Sequence, residues 1–485
     1  MKKIFRGFFL AVLICVLAVG SLAGCKLSGD GEFDEKLLDE IDLTADESFS
    51  GELNIRTTSE ESEVVIMNAL IKAFNEKYPY IRVNYTQELL DNYYSSLSND
   101  AGTAETLGDY SLMPDVFWLA QDRLDSLYSL DSLLFPLGRI EARDETFSSD
   151  ILVDEALSVS TVNDMLYMMP RDYNQVVMYF NQDIFDAAGV DYPTAQMSRE
   201  AFVGMLADLR AGLDASDAVN GYGVPYKDAV KNLIDVNSQW DSWVWPLVKS
   251  FGGEVVNEDG SSALNSENTF NAVSFWKSLR TANYVGTITT TNSGVNFRMQ
   301  QSAIYFHARA VLSDIIKSTK QIKGVQNLGV TAIPQFGSEY AIGGGSSGYG
   351  MYLKAQNKTA AWLFLKFVVS EAGQNAFCAT GNGVPSVRSL LNDEAASWRA
   401  YESEAFGTAF DNDAFVYGLG TKNAPFASTR DFFRYIPVAA QTDVLTCLRS
   451  CFTIIDAEDN SDATIRQQIS NQSELINYYV NQAKK

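Results

Sequence analysis

The stretch GELNIRTTSEESEVVIMNALIKAFNEKYPYIRVNY, residues 51–85, decides the fold. Gly51-Glu52-Leu53-Asn54-Ile55-Arg56 alternates apolar and polar residues, as a half-buried strand does. Thr58-Ser59-Glu60-Glu61 has the spacing of a capping box and predicts a helix starting there. Ile66, Ala69, Leu70, Ala73 and Phe74 recur at three and four residues, one apolar stripe that stops at Tyr78-Pro79. Ile81-Arg82-Val83-Asn84-Tyr85 reads as the next strand. Strand, helix and strand in that order predict a right-handed parallel βαβ unit, and hence an α/β protein.

The pattern recurs along the chain. Asp115 to Leu119 and Leu328 to Pro334 read as strands. Arg199 to Leu213, Thr269 to Asn283 and Thr359 to Ser370 read as helices with a period near 3.6. A chain of 485 residues, 46% hydrophobic and 20% charged, holds a large core and more than one lobe. Acidic side chains outnumber basic ones, 61 to 37, so phosphate backbones are repelled and nucleic acid is excluded as a partner. His307 is the only histidine. No paired-histidine metal site can be built, and any Ser-His or Cys-His nucleophile would have to use that residue. No cofactor or metal is expected.

The N-terminus reads as processing signal and tether. Residues 1–24 carry Lys2, Lys3 and Arg6 before an apolar run from Phe8 to Val19, the pattern of an export signal. Leu22-Ala23-Gly24-Cys25 resembles the bacterial lipobox, which implies lipidation of Cys25 and a body on the outer face of the cytoplasmic membrane. Residues 26–50 contain nine Asp or Glu against two Lys, a composition that predicts a disordered acidic tether over 25–50. Fully extended, it would reach roughly 80–90 Å. Cys378, Cys447 and Cys451 are an odd set, so no disulfide framework is expected, and the last two read as buried small hydrophobes.

Several further segments follow in one order. They are Phe74 to Val83, Pro114 to Trp118 with Gln121-Asp122-Arg123, and Tyr167 to Pro170 leading into Met178 to Phe185. Trp245-Pro246-Leu247 with Phe251-Gly252-Gly253, Gly329 to Pro334, Gly343-Gly344-Gly345 and Gly383-Val384-Pro385-Ser386 complete the set. Together they resemble extracellular solute-binding proteins of family 1, the maltose-binding-protein-like receptors of bacterial ABC sugar importers. The resemblance implies a two-lobed periplasmic-binding-protein type II fold, with a hinge and a ligand cleft between the lobes. It implies crossings near 170–174, 290–296 and 335–343, so that 51–170 plus 295–335 form the N-terminal lobe and 171–294 plus 336–485 the C-terminal lobe. It also implies a monomer, with ABC permease transmembrane subunits and a carbohydrate ligand as partners.

Sugars present hydroxyls to fixed polar groups and C–H faces to flat rings, so their sites combine Trp or Tyr with Asp, Asn and Arg. Trp118, Asp122 and Arg123 lie just past a strand end, where open α/β sheets bind ligands. Trp240-Asp241-Ser242-Trp243-Val244-Trp245 is the densest aromatic run. By resemblance Trp245 packs in the core, while Trp240, Asp241 and Trp243 fall where relatives place a carboxylate and an aromatic platform; core burial of the rings is the alternative. Arg309 could grip an acidic sugar or form a plain salt bridge, and His307 reads as structural. Asp172 and Asn174 at the first crossing, the backbone at Gly345 and Ser346, and Phe433 as a last stacking platform complete the candidates.

These features fit a receptor that closes on a solute. A lipid-anchored glycoside hydrolase would need a carboxylate pair such as Asp115 with Asp122. A scaffold or adhesion protein on the same fold would bind no small ligand.

Overall fold

The computed structural model describes residues 33–129, 133–286, 294–393, 396–400, 409–419 and 426–484. The signal segment and Cys25 lie outside them.

Strand β1 (Gly51–Thr58), helix α1 (Glu61–Lys77) and strand β2 (Ile81–Glu88) form the expected unit, and β1 and β2 pair in parallel from Gly51 opposite Ile81. Ile66, Met67, Leu70 and Phe74 bury the inner face of α1. The capping box does not form. Thr58 ends the β1 ladder opposite Glu88, and α1 starts three residues later without a side-chain cap. Helix α2 (Leu90–Leu107) leads to β3 (Val116–Ala120), which pairs in parallel with β1. Next come α3 (Leu124–Ser129), a small hairpin of β4 (Thr161–Val162) and β5 (Met165–Leu166), and β6 (Met169–Pro170).

The chain then changes lobe. Strands β7 (Asn174–Gln175), β8 (Val177–Asn181), β9 (Ile234–Asp235), β10 (Ile304–His307), β11 (Leu328–Ala332) and β12 (Ile342–Gly345) belong to two further sheets. One has the order β11-β8-β10-β9; the other is completed by β14 (Phe426–Ser428) in the order β14-β12-β7. Helix α5 (Asp241–Ser250) packs on β12 and β14, and helices α4 (Arg199–Ala215) and α6 (Glu267–Thr281) share the second core with these strands. The chain returns with β13 (Ser347–Met351), antiparallel to both β3 and β6, so the first sheet has the order β2-β1-β3-β13-β6. Helices α7 (Lys358–Val368) and α8 (Glu371–Cys378) lie in the first core, whereas α9 (Thr429–Phe433), α10 (Gln441–Thr453) and α11 (Asp462–Ala483) build the second.

Two of the expected lobe boundaries are corrected by this pairing. Residues 304–307 and 328–332 pair with β8 in the second lobe's sheet and not with the strands of 51–170; the crossing expected near 290–296 lies partly outside the described residues. Residues 347–378 belong to the first lobe, so the stretch 336–485 is divided between the lobes. Between β6 and β7 the chain leaves the first sheet, and between β12 and β13 it returns to it. Strand patterning reports that a segment is a strand but not which sheet receives it, because its partners are distant in sequence.

The second half of the expected tether is also folded. Leu38 and Ile41 are buried in the first core, and Phe33 meets the edge of Phe135 at 5.4 Å. Glu35 pairs with Arg139 and Arg143, Asp39 with Arg143 and Glu40 with Lys358. The Asp42 amide donates to Thr359 Oγ1 at 2.9 Å. Averaged composition suggested disorder; the few apolar residues find a preformed surface, and the acidic ones find cations on it.

Candidate functional site

The hinge is cross-braced where the two crossings run side by side. The Ser347 amide and hydroxyl both donate to the Asp172 carboxylate at 3.0 Å, and Ser346 Oγ donates to the Asp172 carbonyl at 2.6 Å. Arg171 is buried between Asp172 and Glu63, donating to them at 3.0 and 2.6 Å, with further bonds to Ser347 and Tyr349. Ser386 Oγ, from the Gly383 to Ser386 segment, donates to the Pro170 carbonyl at 2.7 Å. The Arg171, Asp172 and Glu63 charges are thus paired where the chain passes between the lobes.

Above this brace the two lobes enclose a cavity of about 280 Å³. The first lobe supplies Ala120, Gln121 and Asp122 from the end of β3; the second supplies Trp240, Asp241 and Ser242 at the start of α5, with Val176 and Ala308; the hinge supplies Asp172, Asn174 and Gly344 to Ser347. Gly343 is required by close approach to backbone, and Gly345 leaves room for the Gln121 side chain. A Cβ at Gly343 would stand 1.9 Å from the Ser242 carbonyl oxygen, and one at Gly345 would stand 2.3 Å from Gln121 Nε2. Gln121 Nε2 donates to the Gly344 carbonyl at 3.3 Å and its Oε1 accepts the Ser346 amide at 3.3 Å, tying the β3 turn to the hinge.

The polar wall is rich in acceptors. Asn174 Oδ1 is buried with no hydrogen-bond partner among the described residues, an acceptor a bound hydroxyl would satisfy. Asp122 and Asp241 come from opposite lobes. Burial raises the Asp122 carboxyl to about 6, the Asp241 charge adds to this, and Arg123 opposes it from 3.8 Å. The apolar wall is Trp240, whose ring stacks on His307 with centroids 4.7 Å apart. Burial lowers the His307 pKa to about 4, so a neutral imidazole backs the indole.

Of the expected ligand contacts, the structure thus brings together Asp122, Asp172, Asn174, Trp240, Asp241, Gly345 and Ser346. Five others do not line this cavity. Trp118 packs against Tyr93 and Tyr94, with Arg123 lying outside it over the Tyr94 ring. Trp243, one turn into α5, is buried among Trp276, Phe306 and Phe336. Arg309 is buried, donating to Asn412 Oδ1 and the Trp398 carbonyl and lying over the rings of Trp398 and Phe415. Phe433 is a core residue beside Phe432, and Trp245 is buried as expected. Trp243 and Arg309 found partners far away in sequence, which local reading cannot supply.

Gln121 and Ser242 were missed as cavity residues. Gln121 precedes Asp122 at a strand end, and that position was the available signal. Asp115, offered as half of a hydrolytic pair, is spent on structure: its carboxylate accepts from the amides of Asn54, Gln356 and Asn357 and from two asparagine side chains. Among the described residues no group of three or more His, Cys, Asp or Glu could hold a metal ion. Cys378, Cys447 and Cys451 are free and buried.

Solved structures share this architecture. The GacH receptor of Streptomyces glaucescens, solved unliganded and with acarbose, matches with a TM-score of 0.66 at 17% identity, over 90% of this chain and 99% of that one. UgpB of Mycobacterium tuberculosis, solved with glycerophosphocholine, matches at 0.68 and 17%, over 90% and 100%. Maltose-bound MalE3 of T. maritima matches at 0.63 and 16%, over 88% and 100%. At these identities the likeness is one of fold, and it is the expected two-lobed one. Among curated proteins, a binding protein of Brucella abortus is 24% identical over 360 residues, 70% of this chain and 75% of its own length. Residues 69–403 match the bacterial extracellular solute-binding protein family, and the chain belongs to it.

Proposed function

We infer that the protein is the substrate-binding lipoprotein of an ABC importer: it captures a sugar in the cleft between its lobes and delivers it to the permease subunits, as a monomer held to the outer face of the membrane by lipid on Cys25. The observation that carries the reading is the cavity itself. An indole face on a rigid imidazole backing stands beside acceptors from both lobes and the hinge, a pairing of flat ring and fixed polar groups suited to a polyhydroxylated ring. Its volume of about 280 Å³ is at the small end for ligand sites and favours a mono- or disaccharide over a long oligosaccharide. The complexes of fold relatives with acarbose and maltose support a sugar; the glycerophosphocholine complex of another supports a non-sugar solute as the second reading.

Capture and not hydrolysis is favoured because the chain belongs to a solute-binding family and because Asp115, the partner offered for Asp122 in a hydrolytic pair, is fully occupied in the first lobe. Calorimetric titration with monosaccharides, maltose, short oligosaccharides and glycerophosphocholine tests the proposal. A sugar that saturates one site without turnover supports it. Saturation by glycerophosphocholine alone moves the assignment to the second reading, and release of a cleaved product overturns both.

A further inference from the structure

We propose that the ion pair between Arg430 and Asp125 is a latch that sets the closed position of the two lobes, making Arg430 a positioning residue for solute capture although it lies outside the cavity. This rests on the reading above that the cleft shuts on its ligand.

Arg430 Nη1 donates to Asp125 Oδ1 at 2.9 Å. The partners are rooted in different lobes. Asp125 is the second residue of α3, which Leu124 and Leu127 fix in the first core. Arg430 is the second residue of α9, which Phe432 and Phe433 fix in the second core. A reciprocal capping box between Ser428 and Asp431 holds the start of α9, and β14 immediately before it pairs in parallel with β12. The bond therefore forms at one relative position of the lobes and breaks when they part.

Its placement couples it to the site. Asp125 follows directly on the turn that presents Asp122 to the cavity, while β14 lies alongside the strand that carries Gly344 and Gly345 into it. The two side chains are only 17% and 26% exposed and are held by short, well-packed helices, so the pair loses less side-chain entropy and is screened less than a mobile surface pair. Because a ligand binds the closed form, a change in the closed population changes apparent affinity in proportion.

The test needs no ligand. Spin labels placed on the full unliganded chain at Leu107→Cys in the first lobe and Val219→Cys in the second, both at exposed positions, report the interlobe distance by pulsed electron resonance. Arg430→Ala and Asp125→Ala should each lower the ratio of the short-distance to the long-distance population by about fivefold, and the double variant should go no further. Arg430→Lys should retain most of the short-distance population, and 1 M salt should shift the unsubstituted chain as Arg430→Ala does. An unchanged distance distribution in Arg430→Ala, or additive shifts in the double variant, overturns the latch. Failure of the capture reading would look different: no sugar or glycerophosphocholine would bind the labelled chain at all.

Discussion

The indole of Trp240 lies nearly parallel to the imidazole of His307, their planes inclined by 17°. Burial keeps that imidazole neutral down to about pH 4, against an ordinary value of 6.5. The unfolded chain takes up the proton near 6.5 and the native chain only near 4, so stability present above pH 6.5 is lost as the pH falls through that window. The loss approaches ~3 kcal/mol at most, less for the ring's partial exposure. His307→Phe should flatten the slope, seen as the difference between the two proteins in urea unfolding at pH 7, 5.5 and 4.5.

Asp122 acts in the opposite sense. Its carboxyl, raised to about 6, is protonated in the native cleft at a pH where the unfolded chain is ionised, so it favours the native state as the pH falls from 6 toward 3.8. For binding, loss of the carboxylate removes a charged acceptor. Affinity for a neutral sugar should drop about fivefold between pH 7.5 and pH 5, and Asp122→Asn should show the weaker affinity at both. Titration calorimetry at the two pH values reads this directly.

Trp240 and Trp243 should separate cleanly. Trp243→Ala removes a ring buried against Trp276, Phe306 and Phe336 and should cost about 3–5 kcal/mol of stability. Trp240→Ala should weaken sugar binding roughly tenfold with a much smaller drop in melting temperature. Paired melting and titration curves check the contrast, and a Trp243 variant that melts normally would remove that ring from the core.

The N-terminal strap should stabilise the first lobe. Leu38→Asp places a carboxylate in a buried apolar site and should cost at least about 2 kcal/mol, while opening residues 33–50 to protease. Protection of that stretch in the variant would mean that Leu38 does not hold it down.

Much of this was legible before any coordinates. The strands at 51–58, 81–88 and 116–120 and the helices at 61–77, 199–215 and 267–281 fall within a few residues of where periodicity places them. Of the candidates that line the cavity, Asp122 was marked by its place just past a strand end, a local property of the chain, and Asp172 and Asn174 by the crossing that the resemblance implied. Reading failed where composition was averaged, as over 33–50, and where two side chains of one type stood close together.

Trp240 and Trp243 make the division clear. Both lie in one aromatic run, and the pattern by itself determined only that rings concentrate there. Only tertiary structure decided that Trp240, capping α5, meets the cavity while Trp243, one turn later, meets the core. The same holds for Arg309, whose partners Trp398 and Asn412 lie 89 and 103 positions away, and for residues 347–378, returned to the first lobe by pairing with β3. Helical and strand periods are written in neighbouring residues, so sequence carries them; which surface a side chain meets depends on contacts that come into being only when distant segments pack.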